Sequence, residues 1–299
     1  MSVLFFANAG TLEWWDVAGG NLSNKRTEAL PESTGSVDVS KTGKWLGAVD
    51  GFGGVRVHIW PHNGGTLGTR VDTTFPNDTV GVKFSNNDDS LIAVLDERDV
   101  HVARVNSDGT LTTLGSIGHD FLGRPAPAWS GDDSRLAYSE GNGDGISFAS
   151  WDGSSLTKLV DSVGNGVNRN PFYVDENRIF TGLRDSTDSV RLWDTTGDSF
   201  TQLDSAAHGA SSWEWQKPNP GGTLAFGGAS AAIGTSKLWK IESDVITEVT
   251  TFPHDVWHGA WIDDSTVAVS SRSTPEAVYV YEATNSGLTE IFKAEQTVN

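Results

Sequence analysis

The stretch SVRLWDTTGDSFTQL, residues 189–203, holds a strand, a turn and a second strand. Apolar residues alternate with polar ones up to Trp193-Asp194, a Gly/Asp turn follows, and Phe200 and Leu203 sit in a second alternating run. Period-two patterning bounded by turn residues is the mark of half-buried strands rather than helices. Related phrases recur along the chain. The last apolar residue of the first strand of each phrase is Trp15, Trp60, Val105, Trp151, Trp193, Trp239 and Tyr281, at intervals of 45, 45, 46, 42, 46 and 42. The following strand gives a second series, Leu22, Leu67, Leu111, Leu156, Phe200, Ile246 and Leu288, at intervals of 45, 44, 45, 44, 46 and 42. Two anchors keeping step over the whole chain define a repeat of seven units.

Each unit divides into four short strands. The first ends in phrases such as VGVKFS (80–85), APAWS (126–130), SWEWQ (212–216) or HGAWID (258–263). A polar turn leads to a short apolar strand such as LIAVL (91–95). The Trp-bearing strand comes third, and a strand after a Gly or Asp turn comes fourth. Four strands per repeat of 40–45 residues predict an all-β, seven-bladed propeller of four-stranded antiparallel blades. A lone blade cannot bury its faces, but seven packed around an axis can. One domain is expected over 1–299, with blade 1 at about 1–30 plus the C-terminal tail and later blades beginning near 35, 79, 125, 169, 211 and 256. Because the first unit opens directly on SVLFFANA, which matches a second strand, the tail AEQTVN is expected to close blade 1.

Composition agrees with this class and excludes others. Thirty-four glycines and twelve tryptophans beside one methionine suit a turn-rich β-protein with bulky core side chains. No apolar run is long enough for a membrane helix, and MSVLFFANAG lacks the basic start of a secretory signal, so neither membrane insertion nor secretion is expected. Without cysteine there are no disulfides, thiolate nucleophiles or Cys-bound zinc. A net charge of −18 argues against nucleic-acid binding. Scarce lysine and a twofold excess of Asp over Glu fit adaptation to high salt as well as an ordinary acidic protein.

The Trp-Asp pairs at Trp15-Asp16, Trp151-Asp152 and Trp193-Asp194 resemble those of the WD-repeat propeller family. So do the loops before the first strands, where Asn77, His119, Asn165, His208 and His254 stand in register. The pairs are replaced by Trp60-Pro61, Val105-Asn106, Trp239-Lys240 and Tyr281-Glu282 in the other units, which puts the family's histidine-centred hydrogen-bond network in doubt there. The phrases SVDVSKTGKWLGAV, GVRVHIWPHNGGTLGTRV and SVRLWDTTGDSFTQL are also similar to WD-like repeats in tailed-phage and virus proteins. That resemblance implies a virion component, in a capsid decoration, tail or fibre, bound to other virion proteins or identical copies. It implies a virion location; without it, a cytoplasmic one is expected.

No constellation in the sequence supports catalysis. His254 and His258 are four apart, but the segment enters a strand after a proline and so lacks the helical spacing of a zinc pair. His119, His208 and His254 are expected at the structural loop position, and His58 and His101 in blade packing. The pairs Asp88-Asp89, Asp132-Asp133 and Asp263-Asp264 recur at one equivalent turn, which points to backbone capping rather than a carboxylate pair across a cleft. No metal or cofactor is expected, and the chain is read as a non-enzymatic interaction module. The loops leading into the inner strands place Phe121, Arg124, Arg169, Asn170, Trp213, Glu214, Trp257 and His258 around one mouth of the channel. Aromatics flanked by polar groups could take a host-surface glycan or a peptide, so a carbohydrate-binding propeller and a cellular WD-repeat scaffold are the alternatives, with a propeller hydrolase as a further rival class that would show converging carboxylates or a metal on the channel face.

Overall fold

The computed structural model describes residues 2–8, 10–30, 35–51, 53–119, 126–140, 145–163, 167–184, 189–207, 213–229, 236–256, 258–271 and 277–295. They form seven antiparallel sheets, and the only helical element among them is a single 3₁₀ turn at Thr196–Asp198. This is the seven-bladed, all-β propeller that the repeat predicts. Blades 3 to 7 each hold four strands in chain order, and the inner strands are Thr79–Phe84, Ala128–Trp129, Val167–Tyr173, Trp213–Pro218 and His258–Trp261. Blade 2 starts with Ser36–Val39 and splits its outer strand into Thr66–Leu67 and Val71–Thr74.

Blade 1 has three strands among the described residues, Ser2–Asn8, Thr11–Ala18 and Asn21–Ala29. Of the tail expected to close blade 1, Ala294 and Glu295 pair with Val278 and Ala277 along the outer strand of blade 7. Residues 296–299 lie outside the described residues. Among the described residues, blade 1 is joined to both neighbours by packing. Leu4 and Phe6 pack with Ala268, Val278 and Val280 of blade 7, while Phe5 packs with Leu46, Ala48 and Trp60 of blade 2. Alternation along one strand sends successive side chains to opposite faces, so a single strand serves both neighbours.

Trp60, Trp239, Tyr281, Phe84, Phe148, Phe180 and Phe226 are among the largest fully buried side chains. Large aromatics recur because the gap between twisted sheets widens away from the axis. The recurrent acidic turns have two separate duties. The first carboxylate folds back on its own turn: Asp88 accepts from the Ser90 N–H at 2.8 Å, Asp132 from Ser134 at 2.9 Å and Asp263 from Ser265 at 2.8 Å. The second reaches the preceding blade. Asp89 accepts from the Thr42 N–H at 2.8 Å, Asp133 from Asn86 and Asn87 at 2.8 and 2.9 Å, and Asp264 from Gly221 at 2.6 Å. Glu176 takes the same part against Asp132, at 3.2 Å.

Asp133 also accepts from the Ser85 hydroxyl at 2.6 Å. Asp133→Ala therefore removes the acceptor of the Asn86 N–H and of the Ser85 hydroxyl and one of the two acceptors of the Asn87 N–H, and we expect a loss of about 2–3 kcal/mol. A lower urea midpoint with an unchanged slope is the expected result. An unchanged midpoint would show that the latch contributes nothing.

Candidate functional site in the central channel

The inner strands and the first strand of blade 1 surround a cavity of about 890 Å³. Register across the sheets defines equivalent positions along its wall. Asp38, Lys83, Ala128, Phe172, Lys217 and Ala260 stand opposite Gly47, Ala93, Ala137, Phe180, Phe226 and Ala268 of their own second strands. They form one layer, two residues before the turns. Ser36, Ala126, Asn170 and His258 form a second layer two residues earlier, nearer the other mouth.

The lower layer carries charge. Lys83 Nζ pairs with Asp38 Oδ1 at 2.9 Å, and Asp38 Oδ2 accepts the Phe84 N–H at 2.7 Å. Loss of hydration pushes the Lys217 ammonium down to about 8, the Lys83 charge adds to that push, and Asp38 opposes it. Both lysines are held from behind in the same way. The Trp129 indole N–H donates to the Lys83 carbonyl at 3.1 Å, and the Trp261 indole N–H donates to the Lys217 carbonyl at 2.9 Å. Each bond crosses to the next blade and fixes the backbone from which the lysine projects.

The upper layer holds two residues expected from the sequence. Asn170 is buried, lines the channel and has φ of 50°, at an irregularity in pairing between Arg169 and Phe172. A non-glycine residue with positive φ inside a strand, directly before a proline, stores backbone strain of the kind that gathers at functional positions. His258 lines the channel at the start of the blade 7 inner strand. The other expected residues are not brought into this description. Phe121, Arg124 and Trp257 lie outside the described residues. Arg169 and Trp213 are placed by backbone on the inner strands of blades 5 and 6, as is Glu214, and their side chains lie outside the described part. Sequence reading missed Lys83, Lys217 and Asp38.

Among the described residues, the remaining histidines have structural partners. His254 Nε2 lies 2.6 Å from the Tyr281 hydroxyl, so a tyrosine stands in for the tryptophan of the repeat. In blade 5 the Trp193 indole donates to Thr181 Oγ1 at 3.0 Å, whereas the Trp60 indole donates to Glu28 of blade 1 at 3.0 Å. His208 lies outside the described residues.

His58 bridges Asp50 and Asp72, at 2.7 and 2.8 Å. Among the described residues, Asp96, Asp99 and His101 bring three potential metal-ligand atoms within 4.8 Å of one another. The Asp96 oxygens are already committed to the Arg98 and Asp99 N–H groups, at 2.8 and 2.7 Å, and to His101 at 2.9 Å. Burial pushes the Asp96 carboxyl up, but those hydrogen bonds together hold it below the usual carboxylate range. The trio is a locked turn rather than an open coordination site.

No family model matches the chain, and no curated protein matches it. Solved propellers do. The periplasmic gluconolactonase PpgL of Pseudomonas aeruginosa aligns with a TM-score of 0.76 at 14% identity, covering 98% of this chain and 96% of that one. A candidate 6-phosphogluconolactonase of Bacteroides fragilis aligns with a TM-score of 0.77 at 12% identity, covering 98% and 94%. The β-propeller domain of Cps50 (Swd1) from Myceliophteria thermophila aligns with a TM-score of 0.69 at 11% identity, covering 94% of each chain. At these identities the likeness establishes the fold. It also corrects the expectation of a non-enzymatic virion module, because propellers of this shape that superimpose over nearly the whole chain include lactonases. A channel site takes single residues from separate blades, so the lack of a local catalytic motif never bore on catalysis. The chain is similar in fold, from end to end, to lactonase propellers.

Proposed function

We propose that this propeller is a lactonase-type hydrolase that opens a sugar-derived lactone inside the central channel. The observation that carries the reading is the channel lining, where an imidazole and an amide stand one layer above an ammonium in a cavity of about 890 Å³. That volume falls within the range of small-molecule sites, roughly 300–1,000 Å³. The gluconolactonase and candidate 6-phosphogluconolactonase of the same fold support the reaction class.

Hydrolysis needs a base to activate water, a donor for the developing oxyanion, and a proton for the leaving ring oxygen. In this reading His258 removes a proton from water as it attacks the lactone carbonyl. The Asn170 amide N–H donates to the carbonyl oxygen as it becomes an oxyanion. When the tetrahedral intermediate collapses, the ring C–O bond breaks and His258 returns the proton to the departing alkoxide. The product is the open hydroxy acid, which ionises and releases one proton per turnover.

The test is acid release followed in a pH-stat with δ-gluconolactone and 6-phosphogluconolactone. The expected result is a rate above spontaneous hydrolysis that scales with protein concentration for at least one of them. Rates equal to the protein-free control for both would end the proposal.

A further inference from the structure

The lower channel layer has a property that ring opening does not use. Among the described residues, the carboxylates that line the cavity are engaged: Asp38 by Lys83 and the Phe84 N–H, Asp175 by Arg178 at 2.6 Å, and Glu176 by the Asp132 N–H. Lys217 differs. Among the described residues no carboxylate or hydrogen-bond acceptor is placed on its ammonium, although it lines the cavity. Asp38 attracts the Lys217 ammonium, but it is already engaged by Lys83, so among the described residues Lys217 has no direct counter-charge.

Two features argue that the ammonium is positioned rather than incidental. Lys83 and Lys217 occupy equivalent register positions in blades 3 and 6, nearly across the ring from each other. Both backbones are tied by an indole of the following blade, Trp129 or Trp261. The rest of the layer is Ala128, Phe172 and Ala260, which are apolar and leave the charges nothing else to bind. A small anion entering the cavity therefore meets one unpaired ammonium, with a second that shares a carboxylate.

We propose that Lys217, assisted by Lys83, binds an oxyanion group, a carboxylate or a phosphate, on a small ligand held in the channel. Resting on the lactonase reading only for the place of the site, this makes the substrate a lactone with an acidic group remote from its ring, or makes the acid product the species retained. Ligand chemistry selects between the two sources: a phosphate ester places the charge at the far end of the substrate, whereas the carboxylate appears on ring opening.

The test is isothermal titration of the full chain with gluconate, 6-phosphogluconate, inorganic phosphate and, as the neutral counterpart, glucose. At least one anion is expected to bind about tenfold or more tightly than glucose, and Lys217→Met is expected to remove that advantage. Lys217→Arg should keep it, and the melting temperatures of both variants should match the parent. Tighter binding of 6-phosphogluconate and phosphate assigns the phosphate source, and tighter binding of gluconate assigns the carboxylate.

Equal anion affinity in folded Lys217→Met, or no anion preference in the parent, overturns the proposal. Anion binding without lactone turnover leaves the site in place and removes the lactonase reading. Turnover of a neutral lactone by Lys217→Met at the parent rate, with no anion preference, does the reverse.

Discussion

Under the proposed lactonase reading, replacing His258 with glutamine is expected to lower lactone turnover by about 10²- to 10⁴-fold, the usual share of a general base, while KM changes little. Glutamine keeps similar bulk and can still hydrogen-bond, but it cannot take a proton from water. The backbone N–H of His258, which donates to Ser270 Oγ at 3.2 Å, is untouched, so the inner strand of blade 7 keeps its pairing. An unchanged melting temperature with a collapsed kcat is the expected result, read from steady-state kinetics and differential scanning calorimetry. A variant with parental kcat would remove His258 from the chemistry. One with raised KM and unchanged kcat would make it a binding group only.

The second large effect is on stability. Phe6→Ala is expected to cost about 3–5 kcal/mol, the range for emptying a buried aromatic site. Phe6 is 5% exposed, meets the Trp15 ring edge-on at 5.7 Å, and packs in the cluster that joins blade 1 to blade 7. With three strands described in blade 1, these side chains join it to blade 7. Val245→Ala is the control, since Val245 is 54% exposed and should change the urea midpoint little. Equal midpoints for the two variants would mean that the ring is closed by something other than this packing.

The blades were legible because their signals are local. Alternation, turn residues and a period near 45 all lie within one unit, as in 189–203. The acidic turns were half legible. Backbone capping by Asp88, Asp132 and Asp263 is local, whereas the reach of Asp89, Asp133 and Asp264 to the preceding blade depends on how blades stack.

The channel layer was harder still. Asp38, Lys83 and Lys217 come from three blades, and each looks like a solvated position in an alternating strand. Aligning the inner strands on the residues that end them, Ser40, Ser85 and Asn219, would have set all three in one register. The channel lining is hidden for the same reason: this fold brings together, across the ring, residues that are far apart in sequence. Tyr281 shows the converse: it stands at the tryptophan position of the repeat, and its hydroxyl meets the loop histidine His254 although the motif's letters are lost.

The central claim is that lactone hydrolysis takes place inside the channel. Ser36 lines it in the same layer as Asn170 and His258 and is half-buried, so Ser36→Trp puts a bulky ring into the channel while leaving both proposed catalytic residues in the sequence. The decisive measurement is the lactone hydrolysis rate of this folded variant beside the parent protein. The account predicts that the parent accelerates hydrolysis and that the plugged variant falls to the spontaneous rate with its melting temperature preserved. A plugged propeller that turns over lactone as fast as the parent would contradict it.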